Sequence, residues 1–301
     1  MPSSVKSQTE KGKVPTALLL GVGYTARAII PRLKEAGYNI VGTNRSGKTT
    51  IADVEMLSFT GLLSESLERV LDQADVIISS IPPTDAGDLV SKTIAPYTNP
   101  KWVGYLSATS VYGNRNGHWV FEDEFLYPTT QRGKNRVEAE LDWLETGLPV
   151  HVFRLAGIYG PELNGKVRNP FKRIRNGQAK CVIKPGHVVN RIHVEDIAAA
   201  IMASIARPDP AQVYNIADGH PAPPQDVLKF AADLLGLNCP PEITHDDASL
   251  SDMARSFYTE TKRVSIEKAK KDLGWTPKYT NFQLGLRSIL SSDVDKSNLG
   301  L

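Results

Sequence analysis

The sequence predicts an α/β protein with a doubly wound parallel sheet, followed by a smaller C-terminal part. Short apolar runs alternate with amphipathic stretches through the first half of the chain, which is the pattern of βαβ units. A glycine-rich turn follows the first of these runs and opens the first amphipathic stretch, as expected of a strand–turn–helix unit. With 301 residues, of which 41% are hydrophobic, the chain is long enough for one large core and a smaller companion.

The first half supplies strands and helices in regular alternation. Apolar runs predict strands at 16–20, 39–43, 76–80, 102–107 and 150–155, with a weaker one near 53–57. Amphipathic stretches predict helices at 25–36, 64–72, 85–95 and 132–145. Gly37 is suited to cap the first helix at its C-terminus. Pro31 is expected to kink or shorten that helix, because proline lacks a backbone donor.

The second half has a different composition. Residues 162–191 are rich in Gly, Pro, Asn and basic side chains, and we predict that they are mostly loop. Beyond them the pattern predicts helices at 194–206, 224–235 and 265–273, and a strand at 213–216. The boundary between the two parts is predicted near Gly160, and the strand at 213–216 is a candidate to return to the first sheet.

Charge and cysteine content argue against several classes of protein. Lys and Arg together number 35 against 33 Asp and Glu, a balance that gives no support to a nucleic-acid or membrane-surface partner. The apolar runs are far shorter than the roughly 20 residues of a membrane helix. Cys181 and Cys239 are too few for a disulfide framework and lack metal-ligand spacing. Residues 1–13 are polar, so we expect a flexible leader and not a signal peptide. These features predict a cytoplasmic protein without a bound metal.

The glycine turn carries the main functional signal. It reads Gly21-Val22-Gly23-Tyr24-Thr25-Ala26 and lies between the first strand and the first helix. Gly21 permits the tight turn, Gly23 lets the backbone approach a pyrophosphate, and the small Ala26 lets helix and strand pack closely. The helix N-terminus then presents N–H groups to the phosphates. The turn therefore predicts a dinucleotide site that includes Tyr24 and Thr25.

The end of the second strand indicates which dinucleotide binds. An NAD site usually has an acidic residue there for the ribose 2′-hydroxyl, but this chain has Asn44, Arg45, Ser46 and Lys48. Donors and positive charge suit a 2′-phosphate, so NADP is predicted. If Arg45 only stacks on the adenine, NAD is also possible. The predicted cofactor set is completed by three residues at the end of the strand 76–80, namely Ser80, Ile81 and Pro82.

Five ordered motifs resemble a known family. They are LSATSVYG at 106–113, RLAGIYGP at 154–161, RIHVEDIA at 191–198, VYNIADG at 213–219 and LGWTP at 273–277. Together they resemble the extended short-chain dehydrogenase/reductases, in particular the atypical, NAD-dependent epimerase/dehydratase-like branch. The resemblance implies a Rossmann sheet with strand order 3-2-1-4-5-6. It also implies an NAD(P)-binding domain at 14–160 and a smaller substrate domain at 161–301, with elements of the latter returning to the first sheet.

The resemblance also implies a reaction centred on a Ser or Thr, a Tyr and a Lys, in which the Tyr hydroxyl moves a proton while hydride passes to or from the nicotinamide. In this chain Arg132 stands at the Tyr position, Arg136 at the Lys position and Ala108 at the usual serine. An arginine is always protonated and cannot act as an ordinary base. The candidate catalytic residues are therefore Ser107 and Thr109, which flank Ala108, together with Arg132 and with Arg136, which keeps a cation for the ribose.

Residues 162–191 contain eight basic side chains and one acidic one, Glu162. In the related fold this segment borders the substrate cleft, so we predict a small anionic substrate, such as a nucleotide sugar, a phosphate ester or a carboxylate. The candidate ligands are Lys166, Arg168, Arg191 and Arg255. A solvated basic loop is the alternative.

Two functions are favoured on the sequence over a third, a scaffold without a cofactor, which would leave Gly21, Gly23 and Arg45 unexplained. The first is an NADP-dependent oxidoreductase or epimerase-like enzyme with non-standard proton chemistry, because the Tyr-x-x-x-Lys motif is absent. The second is a non-catalytic NADP(H)-binding sensor or regulatory protein, which the same loss of motif would suit. The resemblance implies a possible homodimer.

Overall fold

Fourteen strands and ten helices make up the part of the chain that the structure describes. This computed structural model describes residues 13–298, without the side chains of residues 253 and 293–298. The predicted leader lies outside this range, except for Lys13. The strands are β1 (Thr16–Leu20), β2 (Asn39–Asn44), β3 (Glu55–Ser58), β4 (Val76–Ser79), β5 (Trp102–Ala108), β6 (Trp119–Val120), β7 (Val150–Leu155), β8 (Gly157–Leu163), β9 (Lys166–Arg168), β10 (Cys181–Ile183), β11 (Arg191–His193), β12 (Val213–Ile216), β13 (Glu242–Thr244) and β14 (Arg263–Val264). The helices are α1 (Tyr24–Glu35), α2 (Glu65–Gln73), α3 (Ser91–Ile94), α4 (Gln131–Leu144), α5 (Phe171–Arg175), α6 (Val194–Ala206), α7 (Pro224–Leu234), α8 (Asp252–Ser256), α9 (Glu267–Leu273) and α10 (Phe282–Asn298).

Seven parallel strands form the central sheet, in the order β12-β7-β5-β4-β1-β2-β3. The first six parallel strands of the chain thus follow the predicted order 3-2-1-4-5-6. The seventh strand, β12, pairs with β7 in the register Val213↔Val152. The order reverses between β1 and β4, and in such sheets a ligand binds at the carboxyl ends of the strands flanking that point.

Successive strand residues face opposite layers of helices. Leu18 and Leu20 pack with α2 and α4 on one face, whereas Ala17 and Leu19 pack with α1 and α6 on the other. Strands buried on both faces are expected where helices cover a parallel sheet twice. The predicted fold class, a doubly wound α/β sheet, is confirmed.

The helix predicted at 85–95 is much shorter than expected. The Asp88 carboxylate accepts the backbone N–H groups of Val90 (2.8 Å) and Ser91 (2.7 Å), so the helix starts only there, as α3. An Asx turn of this kind, just before the N-cap Val90, fixes a helix start that periodicity alone does not reveal. The segment before Asp88 is left as an irregular connection after β4.

Pro31 does not shorten α1, which continues to Glu35. Proline removes one backbone donor, but Ile29, Ile30 and Leu33 of the same helix are buried against the sheet. Their burial offsets the missing hydrogen bond.

Just over half of residues 162–191 lie outside helices and strands, as predicted, but the segment also contains short regular elements that the prediction did not include. The segment holds the end of β8, then β9, α5, β10 and the start of β11. β8 and β9 form an antiparallel hairpin whose turn contains Asn164 and Gly165, both with positive φ. An Asn-Gly pair between two strands is a strong hairpin signal. Gly160, the predicted boundary, lies inside β8.

A third, smaller core lies in the C-terminal part. It contains Phe171 of α5, Ala231 of α7, and Phe282 and Leu286 of α10, packed around Tyr159 of β8. Among the helices that the structure describes, none is long and apolar enough to span a membrane.

Candidate functional site

The glycine turn joins β1 to α1 with the geometry of a phosphate-binding loop. Gly21 has φ of +87°, where glycine is favoured, and a Cβ there would lie 2.7 Å from Ile81 Cγ1. At Gly23 a Cβ would meet no described atom within 4 Å. Gly23 is the N-cap of α1, so this open space lies beside unpaired N–H groups. Ala26 is buried under the loop and Thr25 is half-buried. The space fits a pyrophosphate.

Residues after β4 and on β2 hold the glycine loop in place through hydrogen bonds and packing. The Ser80 hydroxyl donates to the Gly21 carbonyl, and the Gly21 N–H donates to the Thr43 hydroxyl at 3.0 Å. Ile81 fills the space against Gly21, while Pro82 is exposed. Ser80 and Ile81 therefore support the loop, whereas Pro82 makes no described contact with it.

The turn after β2 is built by Asn44. Its side-chain oxygen accepts the N–H groups of Ser46 (2.9 Å) and Gly47 (2.7 Å), and its amide donates to the Thr49 hydroxyl at 2.7 Å. Asn44 thus shapes the turn and has little hydrogen-bonding capacity left. The neighbouring Arg45 is exposed, and its guanidinium makes no hydrogen bond or ion pair with any described residue.

The glycine loop and this turn face each other across a cleft of about 370 Å³. It is lined by Val22, Gly23, Tyr24, Arg27, Asn44, Arg45, Ser46, Thr49, Leu163, Asn164 and Lys166. Three of these, Arg27, Arg45 and Lys166, form what we call the cation triad. Within residues 13–298 none of the three has an acidic partner. Uncompensated positive charge of this kind favours a bound phosphate.

The β8–β9 hairpin reaches this cleft because it is held against Tyr24. The Tyr24 hydroxyl donates to the Pro161 carbonyl at 2.8 Å, and the Arg168 guanidinium lies 5.1 Å from the centre of the Tyr24 ring. Burial raises the pKa of Tyr24 to about 12, an effect that Arg168 opposes only in part. Tyr24 therefore stays protonated and anchors the hairpin.

This anchoring changes where two predicted substrate ligands lie. Lys166 lines the cleft beside the glycine loop, and Arg168 stacks on Tyr24. Both side chains lie beside the glycine loop, because the hairpin packs against Tyr24 in the first turn of α1.

The structure contradicts the catalytic assignment of Ser107. Its side chain is buried and donates to Glu140 Oε1 at 2.5 Å. Glu140 is itself buried in an ion pair with Arg154, whose Nη2 lies 2.9 Å from Oε2. Ser107 is thus part of an internal polar network. Thr109, in the 3-10 turn after β5, is half-buried, and its hydroxyl has no hydrogen-bond partner among the described residues.

The two arginines of α4 differ in their surroundings. Arg132 is exposed in the first turn and contacts no described acidic group. Arg136 is half-buried and donates to the Leu106 carbonyl (2.5 Å) and the Tyr105 hydroxyl (3.3 Å). It is therefore tied to β5, which limits its capacity to hold a ribose as predicted.

An acidic residue that the sequence did not single out lies beside α4. Asp85, in the exposed connection after β4, accepts a 2.8 Å hydrogen bond from the Asn135 amide. Asn135 in turn accepts one of 2.7 Å from Gln131. The Asp85 carboxylate thus borders the helix turns where the family's Tyr and Lys would stand.

Of the other predicted substrate ligands, Arg191 is largely enclosed and donates to the Val189 and Ala222 carbonyls at 2.9 and 3.0 Å. Burial lowers the pKa of Arg191 and raises that of nearby Asp218 to about 7. Arg255 donates to three backbone carbonyls of residues 246–250, so it organises its own loop and does not join Arg191. Among the described residues, no group of three His, Cys, Asp or Glu side chains is placed to hold a metal.

Comparison with known proteins places the chain in a family. Residues 16–103 match the family model described as NADP oxidoreductase coenzyme F420-dependent. Protein YeeZ of Escherichia coli K12 is 29% identical over 231 residues, which are 68% of this chain and 78% of YeeZ. A solved structure of a functionally unknown conserved protein from Silicibacter pomeroyi DSS is 43% identical, with 92% of this chain and 99% of that chain covered and a TM-score of 0.84.

The chain belongs to the family of this Silicibacter protein.

More distant structures share the fold. The dTDP-glucose 4,6-dehydratase of Bacillus anthracis, solved in complex with NAD, is 18% identical, with a TM-score of 0.75 over 94% of this chain and 98% of that one. The predicted resemblance to NAD-dependent epimerase/dehydratase-like proteins is confirmed by this shared fold. The description of the family model that matches residues 16–103, an NADP oxidoreductase, agrees with the prediction of a nicotinamide cofactor.

Sequence reasoning missed three features of the site. Arg27 follows the glycine turn directly. It is four residues after Gly23, so helix periodicity places its side chain on the same side of α1 as Gly23, and this spacing could have assigned it to the cleft. The Asn164-Gly165 turn signalled the hairpin that brings Lys166 to the cleft. Asp85 carried no local signal, because its contact with Asn135 spans 50 residues.

Proposed function

We propose that the protein is an NADP-dependent oxidoreductase or epimerase-like enzyme that acts on a small anionic substrate. The observation that carries this proposal is the cation triad, placed in one cleft with the open space at Gly23. A helix N-terminus with uncompensated cations beside it suits the phosphates of a dinucleotide.

The preference for NADP is supported by the end of β2. Arg45 and Ser46 line the cleft there, and none of the described residues that line it carries a carboxylate. An NAD site would need an acidic group to accept from the ribose 2′-hydroxyl, whereas a 2′-phosphate needs donors and positive charge. The family model that matches residues 16–103 is described as an NADP oxidoreductase, in agreement with this choice.

When bound, the nicotinamide supplies the hydride donor or acceptor. The chain must then hold or move a proton at a substrate oxygen. Three side chains border the first turns of α4: the Thr109 hydroxyl, the Arg132 guanidinium and the Asp85 carboxylate. We assign proton transfer to Asp85, because an arginine stays protonated and threonine is a weak base without a partner. Arg132 would stabilise negative charge that develops on the substrate oxygen.

A small anionic substrate is supported by the basic residues of the C-terminal part. Once Lys166 and Arg168 are placed beside the cofactor cleft, Arg191 is the remaining enclosed cation of the predicted set. A neighbour of the same fold is named for a nucleotide sugar, dTDP-glucose, and we propose a phosphate-bearing substrate for this chain also. We favour the enzyme over a non-catalytic sensor because a hydroxyl (Thr109), a cation (Arg132) and a carboxylate (Asp85) occur in or next to the segments around α4, where the family's catalytic residues would stand.

The test is the affinity for NADPH and NADH, measured by titration of the purified chain. The wild type should bind NADPH at least about tenfold more tightly than NADH, which corresponds to about 1.4 kcal/mol. Arg45→Asp should remove or invert this preference, because a carboxylate repels a 2′-phosphate and accepts from a 2′-hydroxyl. Arg69→Asp, on the exposed face of α2, is the control and should leave it unchanged. Failure of the wild type to bind either cofactor, or an unaltered preference in Arg45→Asp, would contradict the proposal.

A further inference from the structure

We infer that the β8–β9 hairpin is a cofactor clasp, and that Lys166 at its tip is a specificity-determining residue that reads the 2′-phosphate of NADP from the C-terminal half of the chain. The inference rests on the proposed function and extends it. It assigns to the cofactor a residue that the sequence assigned to the substrate.

The position of Lys166 supports this role. Lys166 pairs with Leu163 across the hairpin, and both line the cleft that also contains Gly23 and Arg45. The turn between them, Asn164-Gly165, has φ of 53° and 74°, so the tip turns sharply and Lys166 comes directly after it. The hairpin thus places one cation opposite the turn after β2.

The positive charge of the cleft indicates that the ligand of Lys166 is an anion. The cation triad has no acidic partner in the described part of the chain, although Glu162 lies on the same hairpin. Arg27 and Arg45 come from α1 and the end of β2, on the glycine-loop side. Three cations around one cleft repel one another unless a multiply charged anion lies between them. A 2′-phosphate is such an anion.

The base of the hairpin is fixed, so its tip is not free to point elsewhere. The Tyr24 hydroxyl holds the Pro161 carbonyl at 2.8 Å, and the Asn169 amide donates to the Gly160 carbonyl at 3.2 Å. A Cβ at Gly160 would lie 2.7 Å from the Tyr24 hydroxyl, so close contact at this point requires glycine. Since Tyr24 directly follows Gly23, the same loop that receives the pyrophosphate positions the clasp.

The experiment compares Lys166→Met with Lys172→Met, an exposed lysine of α5 that does not line the cleft. Each variant is titrated with NADPH, NADH, adenosine 2′,5′-bisphosphate and 5′-AMP, the last two of which differ only by the 2′-phosphate. Lys166→Met should weaken binding of NADPH and the bisphosphate by about tenfold, in line with the loss of one charge-assisted contact. It should leave NADH and 5′-AMP unchanged. Lys172→Met should alter none of the four.

A second measurement needs no variant. Trypsin can cleave the wild-type chain after Lys166 in the exposed hairpin. At equal saturation, NADP⁺ should slow cleavage of the Lys166–Val167 bond, and NAD⁺ should slow it much less. Equal protection by both cofactors would overturn the inference.

The two proposals fail in different ways. If the wild type binds neither cofactor, the proposed function fails and the clasp fails with it. If the wild type prefers NADPH and Arg45→Asp loses that preference while Lys166→Met keeps it, the clasp alone is wrong.

Discussion

Ser107 donates a 2.5 Å hydrogen bond to the buried carboxylate of Glu140. That carboxylate is also held by three contacts of 2.9 to 3.2 Å from Arg154. The serine next to the family's catalytic position thus belongs to a structural network below the site, and this difference can be tested.

Ser107→Ala should destabilise the fold without affecting cofactor binding. Loss of a hydrogen bond to a buried charged group costs about 1.5–3 kcal/mol, measured here as the free energy of unfolding in urea. Thr109→Ala, at a half-buried hydroxyl without a described partner, is the matched control and should change stability by less than about 0.5 kcal/mol. If Ser107→Ala bound NADPH more weakly at unchanged stability, Ser107 would belong to the cofactor site and its purely structural role would be wrong.

The two glycines of the turn should respond to alanine in opposite ways. Gly23→Ala should fold as stably as the wild type, because φ of −96° suits alanine and no described atom lies within 4 Å of the new Cβ. It should nevertheless weaken NADPH binding about tenfold or more, since the methyl group occupies the space for the pyrophosphate. Gly21→Ala has a left-handed φ and a 2.7 Å contact with Ile81, and should cost more than about 1 kcal/mol of stability. Equal cofactor affinity in Gly23→Ala and the wild type would contradict the pyrophosphate assignment.

Asp85→Asn should separate binding from chemistry. The amide can still accept the hydrogen bond from Asn135, so NADPH affinity should stay the same. Turnover should fall by at least about a hundredfold, the usual contribution of a general acid or base. The measurement is NADPH oxidation on a carbonyl substrate found by screening phosphorylated and nucleotide-linked compounds. Asp123→Asn, in an exposed acidic segment, is the control, and full activity in Asp85→Asn would exclude this carboxylate from proton transfer.

The buried ring of His187 should make the free energy of unfolding decrease as the pH is lowered. Its ring is buried with both nitrogens unpartnered among the described residues, and burial, followed by Lys184 and Arg191, lowers its pKa to about 4 from the usual 6.5. Between pH 6.5 and 4 the unfolded chain therefore binds more protons than the native one, so the free energy of unfolding decreases as pH falls through this window. Urea unfolding at pH 7.5 and 5 should show a larger loss for the wild type than for His187→Leu. Asp218, whose pKa is raised to about 7, contributes the opposite slope to both proteins alike.

Local patterns predicted most of the first half correctly. The strands, the glycine turn and the donors after β2 are patterns of residues near one another in sequence, whereas the strand order was implied by the family resemblance. The errors have a common cause in contacts between distant residues. Ser107 meets Glu140 33 residues away, and Tyr24 fixes Pro161 137 residues away. Periodicity carries no information on such pairs, so the internal role of Ser107 and the position of Lys166 required the structure. The late start of α3 is an exception, because the Asx turn at Asp88 that precedes it is formed with Val90 and Ser91, which are close to it in sequence.

The pairing of β12 with β7 has a consequence for synthesis of the chain. β7 ends at Leu155, but its outer neighbour is complete only at Ile216. While the intervening residues leave the ribosome, β7 presents a row of unpaired backbone groups and apolar side chains such as Val150 and Val152, which is a template for association with other nascent chains. We therefore expect the C-terminal half to cover an edge that a chain ending near Gly160 would leave open to association.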